Sequence, residues 1–241
     1  YDESSTGKTS YVEPTEIVEM NNEIRELEYA ERREIIRILT SFANDIRPYI
    51  EDLWYSYEFL GEIDFIRAKA LLTIEIDAIK PDMVSYPVID WFRAIHPLLM
   101  KTLKKENRKI VPLNIRLTEE RHILLISGPN AGGKSVCLKT VGLLQYMLQC
   151  GLPIPISEGS RTGVFSRLFI DIGDEQSLEN DLSTYSSHLL NMKHFVKFSD
   201  EKTLILIDEF GTGTEPMLGG AIAESILDKL NQLGTFGVIT T

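Results

Sequence analysis

The sequence predicts an α/β fold, a mainly parallel sheet covered by helices and preceded by a segment of long helices. Three observations carry this. From residue 122, short apolar runs alternate with stretches of helical periodicity. One run, Thr203–Asp208, holds Leu204, Ile205, Leu206 and Ile207 in succession, the pattern of a strand covered on both faces. Before residue 81, apolar residues recur instead at three- and four-residue intervals, the spacing of a narrow helical stripe.

In chain order, Tyr1–Tyr11 is polar and rich in Ser, Thr and Gly, and reads as a loop or the tail of a hairpin. Glu13-Pro14-Thr15 opens a helix striped by Ile17, Met20, Ile24 and Leu27, then by Ile35, Ile38, Leu39, Phe42 and Ile46. Pro48 kinks or ends it. A second stripe runs through Ile50, Leu53, Tyr57, Leu60, Ile66, Ala70 and Ile74 until Lys80-Pro81-Asp82 breaks it. Two such thinly striped helices form either a connecting arm or ordinary helices packed on the next domain. Residues 82–121 are expected to be irregular, punctuated by Pro87, Pro97 and Pro112. They hold the one dense basic run, Lys101, Lys104, Lys105, Arg108 and Lys109, which is either a solvated loop or a neighbour of phosphates. Strands then follow at His122–Ser127, Val164–Asp171, Thr203–Asp208 and Phe236–Thr240, with helices at Ser135–Cys150, Ser183–Phe198 and Met217–Leu233. The expected domains are a helical segment over 1–81 and an α/β domain over 82–241.

Composition limits the function. The 241 residues suit one large or two smaller domains. The net charge is −11, and residues 1–80 carry most of it, with 9 Lys and Arg against 18 Asp and Glu. Such a chain grips polyanions poorly, because phosphate contacts need clustered cations. No apolar run reaches the roughly 18–20 residues of a membrane span, so no membrane partner is expected. Residue 1 is Tyr and no charged-then-apolar leader follows, which suggests a piece of a longer chain without a signal peptide. Cys137 and Cys150 form no Cys-x-x-Cys pair and read as inert thiols of a reducing, cytoplasmic compartment. His96, His122, His188 and His194 lack zinc spacing, and neither a nucleophile elbow nor a protein-kinase set occurs.

The chemistry centres on Gly128-Pro129-Asn130-Ala131-Gly132-Gly133-Lys134-Ser135, a complete G-x-x-x-x-G-K-[ST] between an apolar strand and a helix that continues through Val136. Glycines let successive N–H groups turn inward on phosphate oxygens, and the helix N-terminus adds partial positive charge. In this pattern Lys134 reaches the β- and γ-phosphates of ATP and the Ser135 hydroxyl ligates Mg²⁺. A second Gly-Lys-Thr, at Gly7-Lys8-Thr9, has Asp2 where the first glycine must stand and reads as loop. The strand ending in Asp208-Glu209 supplies the other half: Asp208 to hold Mg²⁺, and Glu209 to orient and deprotonate a water. Ser183-Thr184-Tyr185-Ser186-Ser187-His188 opens a helix, where hydroxyls ordinarily cap, and Gly211–Pro216 is a polar turn.

These motifs together resemble the MutS family of DNA-repair ATPases, relatives of the ABC class. The loop with its Pro129-Asn130 start, Ser183-Thr184-Tyr185, Asp208-Glu209-Phe210-Gly211-Thr212-Gly213-Thr214 and Ile95-His96-Pro97-Leu98 carry the resemblance. Ser183–His188, Asp208–Pro216, Val12-Glu13-Pro14 and Glu19–Glu28 bring it closer to the second bacterial, anti-recombination branch. The resemblance implies an ABC-like P-loop ATPase preceded by part of a helical core and lever. It implies a homodimer in the full-length protein, although the piece read here could be monomeric. In such a dimer Ser183 and Thr184 face the γ-phosphate held by the partner's loop, and Gly173-Asp174-Glu175-Gln176 lies near the site. It further implies action on branched or mismatched DNA through other regions, to suppress recombination, with endonuclease activity in a C-terminal domain not present here. The alternatives are a rescue factor for collided ribosomes and a mismatch-repair ATPase. An ABC-type or chromosome-maintenance ATPase would want Leu-Ser-Gly-Gly-Gln, and Leu182–Ser186 lacks its glycines. No aromatic adenine stacker stands out; Ile110 and Val111 occupy the approximate place.

Overall fold

A computed structural model describes residues 2–3, 10–11, 14–129, 133–172, 181–211 and 216–241. The chain divides into two compact units, Tyr1–Phe65 and Ile66–Thr241.

In the first unit, β1 (Asp2–Glu3) and β2 (Ser10–Tyr11) pair antiparallel, Asp2 opposite Tyr11, as the hairpin alternative requires. Helix α1 (Thr15–Ile46) begins after Pro14, whose carbonyl accepts from the N–H groups of Ile17 and Val18. Pro48 does end α1, but for one turn only. A 3₁₀ turn at Arg47–Tyr49 absorbs the missing N–H, and α2 (Ile50–Glu75) starts at once. No residue of α1 or α2 is buried, and the stripe residues Ile17, Ile24, Leu39 and Leu53 are exposed.

The second unit takes in the end of α2. That helix stops before the Lys80-Pro81 break expected for it, because Asp77 enters the left-handed region (φ 51°) and the Ala78 N–H closes on Thr73 O at 2.9 Å. A four-stranded sheet lies at the centre of this unit, built from β6 (Ile123–Ile126), β8 (Arg167–Asp171), β9 (Thr203–Ile207) and β10 (Phe236–Thr240). Its order is β6-β10-β9-β8, and every pair is parallel. Helices α4 (Lys134–Gln149), α5 (Asp181–Phe198) and α6 (Pro216–Gln232) connect its strands. The expected α/β class and its mainly parallel sheet are therefore present.

The continuous apolar run of β9 has a direct cause. Leu204 and Leu206 pack with Leu138, Val141 and Leu144 of α4, while Ile205 and Ile207 pack with Met192 and Phe195 of α5 and Leu230 of α6. Both faces are covered, so alternation disappears. Helix α4 sits so close that a Cβ on Gly142 would lie 2.6 Å from Leu206 Cδ1.

Residues 82–121 are more ordered than expected. They contain β3 (Asp82–Met83), β4 (Ile89–Ala94), α3 (Pro97–Lys105) and β5 (Leu113–Leu117). With β7 (Arg161–Thr162) the strands form a second, mixed sheet, ordered β3-β7-β4-β5. A bulge between Trp91 and Ala94, with Arg93 at φ 52°, breaks the two-residue period that would have announced β4. Ile89, Trp91, Ile115 and Leu117 of this sheet join the α4 side of the core. Among the described residues no helix is long and apolar enough to cross a membrane.

Candidate functional site

Parallel pairing brings four strand ends to one edge. Ile126 aligns with Thr240, Ile239 with Ile207, and Asp171 with Ile207. Backbone bonds continue the alignment beyond the strands: Thr241 N–H to Ile126 O (3.0 Å), Phe210 N–H to Thr240 O (2.8 Å) and Asp208 N–H to Asp171 O (2.9 Å). This carboxyl edge is where ligands bind in open parallel sheets.

From β6 the chain leaves through Gly128 (φ 148°) and Pro129, and it enters α4 through Gly133, whose φ of 85° is open to glycine and strained for other residues. Asn130, Ala131 and Gly132 lie outside the described residues. Lys134 is only 8% exposed. Its ammonium donates to Gly128 O and, at 2.7 Å, to the Thr241 backbone oxygen. Ser135 is half-buried in the first turn of the same helix, and Val136 is exposed beside it.

Asp208 and Glu209 turn off the end of β9. Thr240 fixes both, its hydroxyl donating to Asp208 Oδ1 and accepting from the Glu209 N–H at 3.0 Å. Asp208 Oδ1 also accepts from that N–H at 3.2 Å. Glu209 adopts φ 51°, a conformation costing a non-glycine residue about 1–2 kcal/mol, and its side chain is exposed. The turn continues through Gly211, where a Cβ would meet Ala223 Cβ at 3.2 Å; residues 212–215 lie outside the described set. Ser183 and Thr184 fall in the first turn of α5, as expected of them, but their side chains lie outside the described residues, as does Gly173–Gln176.

Beside Gly133 opens a cavity of about 510 Å³ whose lining includes His96, Ile110, Val111, Val136, Cys137 and Thr140. Val111 is 88% exposed at this place. His96 caps α3, its Nδ1 accepting from the Leu99 N–H at 3.3 Å. Burial holds its imidazole below the usual histidine range, and Lys139 adds repulsion. Burial likewise pushes the Cys137 thiol up. Lys109 reaches this cavity, whereas Lys101 pairs with Glu75 and Arg108 with Glu106 at the surface. The basic run is thus divided between solvent and the cavity.

The structure adds two groups that sequence reasoning missed. Thr240 carries no signal of its own, because only the neighbouring position of β10 gives its hydroxyl meaning. Asp171 did carry one: like Asp208, it ends an apolar strand at the same edge. It is buried, with Oδ2 2.7 Å from His188 Nδ1 and Oδ1 2.9 Å from Asn191 Nδ2.

The model of the family described as MutS domain V matches residues 124–241. The whole chain is 43% identical over 241 residues to a protein of Enterococcus faecalis named Endonuclease MutS2, of which it covers 30%. Proteins of the same name from Caldanaerobacter subterraneus and Pelotomaculum thermopropionicum are 42% and 45% identical over 241 residues, each again with 30% covered. The chain therefore spans under a third of the length of these relatives.

Proposed function

Because this chain belongs to the MutS family, we propose that its second unit is an ATP-hydrolysing motor, with Gly128–Ser135, Val136, Asp208 and Glu209 as the nucleotide site. The observation that carries this is the shared sheet edge: β10 lies between β6 and β9 and ties the Lys134 loop to the Asp208–Glu209 turn through Thr240 and Thr241. A loop that matches the phosphate-binding pattern and an acidic pair converge there, although Lys134 and Asp208 are far apart in sequence.

The residues suit Mg²⁺ and a nucleoside triphosphate. Ser135 and Asp208 offer hard oxygen donors, and the Lys134 ammonium can exchange its bonds to Gly128 O and the Thr241 backbone oxygen for phosphate oxygens. Held by Ser135 and Asp208, Mg²⁺ would supply neutralisation of the phosphate charge. Lys134 and the N-terminus of α4 hold the phosphate charge, and Gly133 in its left-handed conformation lets the loop backbone close on it. Thr240 keeps Asp208 turned toward the edge. Glu209, presented by its own left-handed turn, orients the attacking water and takes its proton. The cavity lined by Ile110, Val111 and Val136 accepts the base by apolar contact, without an aromatic partner.

For the whole protein, we propose a homodimer in which Ser183 and Thr184 of each subunit complete the other's site, and in which nucleotide closes the dimer on branched or mismatched DNA. Driving such an equilibrium from 1:99 to 99:1 requires about 5.5 kcal/mol of differential nucleotide affinity. The word endonuclease in the relatives' names supports a nuclease activity elsewhere in the full-length protein, outside the aligned 30%.

The test is Mg·ATP binding and turnover in the intact protein. Lys134→Ala loses at least about tenfold in Mg·ATP affinity, as expected when a charged hydrogen-bond partner is removed. Glu209→Gln binds normally and does not turn over. Unchanged affinity in the first variant overturns the phosphate-loop assignment, and persistent hydrolysis in the second removes Glu209 as the base.

A further inference from the structure

Among the described residues, Asp171 is an acidic group at this edge that the proposed chemistry does not use, and both of its carboxylate oxygens are engaged. Its carboxylate is 7% exposed, and each oxygen accepts from a different residue of α5: Oδ2 from His188 Nδ1 at 2.7 Å and Oδ1 from Asn191 Nδ2 at 2.9 Å. His188 and Asn191 are three residues apart, hence neighbours on one helix face, so the carboxylate is gripped across nearly a full turn. The same residue's backbone carbonyl accepts the N–H of Asp208 at 2.9 Å. Asp171 thus joins α5 through its side chain and the acidic turn through its main chain. A small cavity lined by Asp171, His188, Asp208, Glu209 and Phe210 shows that the groups bound a common space.

We propose that Asp171, His188 and Asn191 form a positioning clamp that holds α5 in register with the Asp208–Glu209 turn. The inference rests on the ATPase reading above. Because His188 donates through Nδ1, the clamp needs a donor at that position of the side chain and no titration. The carboxylate's negative charge strengthens both bonds and is itself satisfied only when α5 is seated. His188 and Asn191 lie in the second and third turns of α5, so the helix meets the site edge through contacts made there. Ser183 and Thr184 lie one to two turns ahead on the same helix. Their placement against a γ-phosphate therefore depends on this clamp, while the phosphate loop, on α4, does not.

The consequence is a separation of turnover from binding. In the intact protein, His188→Leu lowers kcat for ATP at least tenfold and leaves KM within twofold. His188→Asn, whose amide nitrogen stands near the place of Nδ1, recovers kcat to within threefold of the unsubstituted protein; His188→Gln, whose nitrogen stands nearer the place of Nε2, does not. Asp171→Leu reproduces the His188→Leu result. A kcat unchanged in His188→Leu, or equal losses in the Asn and Gln variants, overturns the clamp. A loss in KM as large as that in kcat overturns it also, since a general disturbance of the fold would reach the phosphate loop. Absence of ATP hydrolysis in the unsubstituted protein overturns the ATPase reading and this inference with it, so the two failures are distinguishable.

Discussion

His96 shows how one residue can report on the core beside the site. Its imidazole caps α3 through Nδ1, and burial and Lys139 keep it below its ordinary range. The unfolded chain therefore takes up this proton more readily than the folded one. Stability is held above the unfolded histidine value of about 6.5 and is lost as pH falls through that value toward the folded one. Thermal unfolding of the intact protein at pH 7.5 and pH 5 should show a fall in Tm on acidification. His96→Asn, which keeps an acceptor for the Leu99 N–H, should make that fall smaller; an equal fall in both proteins would show that His96 does not contribute to it. Lys134, Asp208 and Glu209 were legible at this scale because the phosphate-loop pattern and the strand ending in two acids name them directly. Thr240 was not, and Asp171 was legible only as an acid ending a strand, because a hydroxyl or carboxylate at the end of a strand acquires its partners only from the neighbouring strand and helix.

At the scale of elements, close approach decides what the chain tolerates. The second sheet passes under the Tyr86–Pro87 backbone at Gly163, where a Cβ would fall 1.9 Å from Tyr86 O. The buried Gln145 of α4 donates to Gly163 O at 2.9 Å and accepts from Thr162 Oγ1 at 3.3 Å, so this is also where the phosphate-loop helix is fastened to the second sheet. Gly163→Ala should cost about 3 kcal/mol or more, since the obstructing atom is backbone and cannot turn away. Denaturant unfolding checks this: a loss under 1 kcal/mol would mean the Tyr86 segment moves easily. The strands around Gly163 escaped sequence reading for the same physical reason. Asp90 is buried between Ile89 and Trp91, held by Arg161 at 3.1 Å, and the bulge at Arg93 then shifts the register, so neither alternation nor an apolar run appears. Helices α1 and α2 were legible from their stripes, and the persistence of helix beyond Pro48 follows from the ease with which a single 3₁₀ turn accepts proline near its start.

For the whole molecule, charge and connectivity matter more than any contact. The excess of acidic residues over 1–80 leaves little there for nucleic acid to bind, and the basic run of residues 101–109 is partly paired or directed to the cavity. If DNA is held by other regions, replacing Lys104, Lys105 and Arg108 together by Gln in the intact protein should change the slope of log affinity against log salt by less than 1. Three phosphate contacts at these residues would instead lower the slope by nearly 3. Titration of a four-way junction at several salt concentrations separates the two.

The sequence by itself determined the class of fold, the phosphate loop, the acidic pair and the family, because each is written in local order: short apolar runs alternating with stretches of helical period, a fixed spacing of glycines and lysine, and two acids ending a strand. Tertiary structure alone decided that β10 separates β6 from β9, that Thr240 fixes Asp208 and Glu209, and that Asp171 joins α5 to the same edge. Those facts depend on which strands lie side by side, and strand order in a parallel sheet is set by the packing of helices on its two faces, far from the residues it brings together.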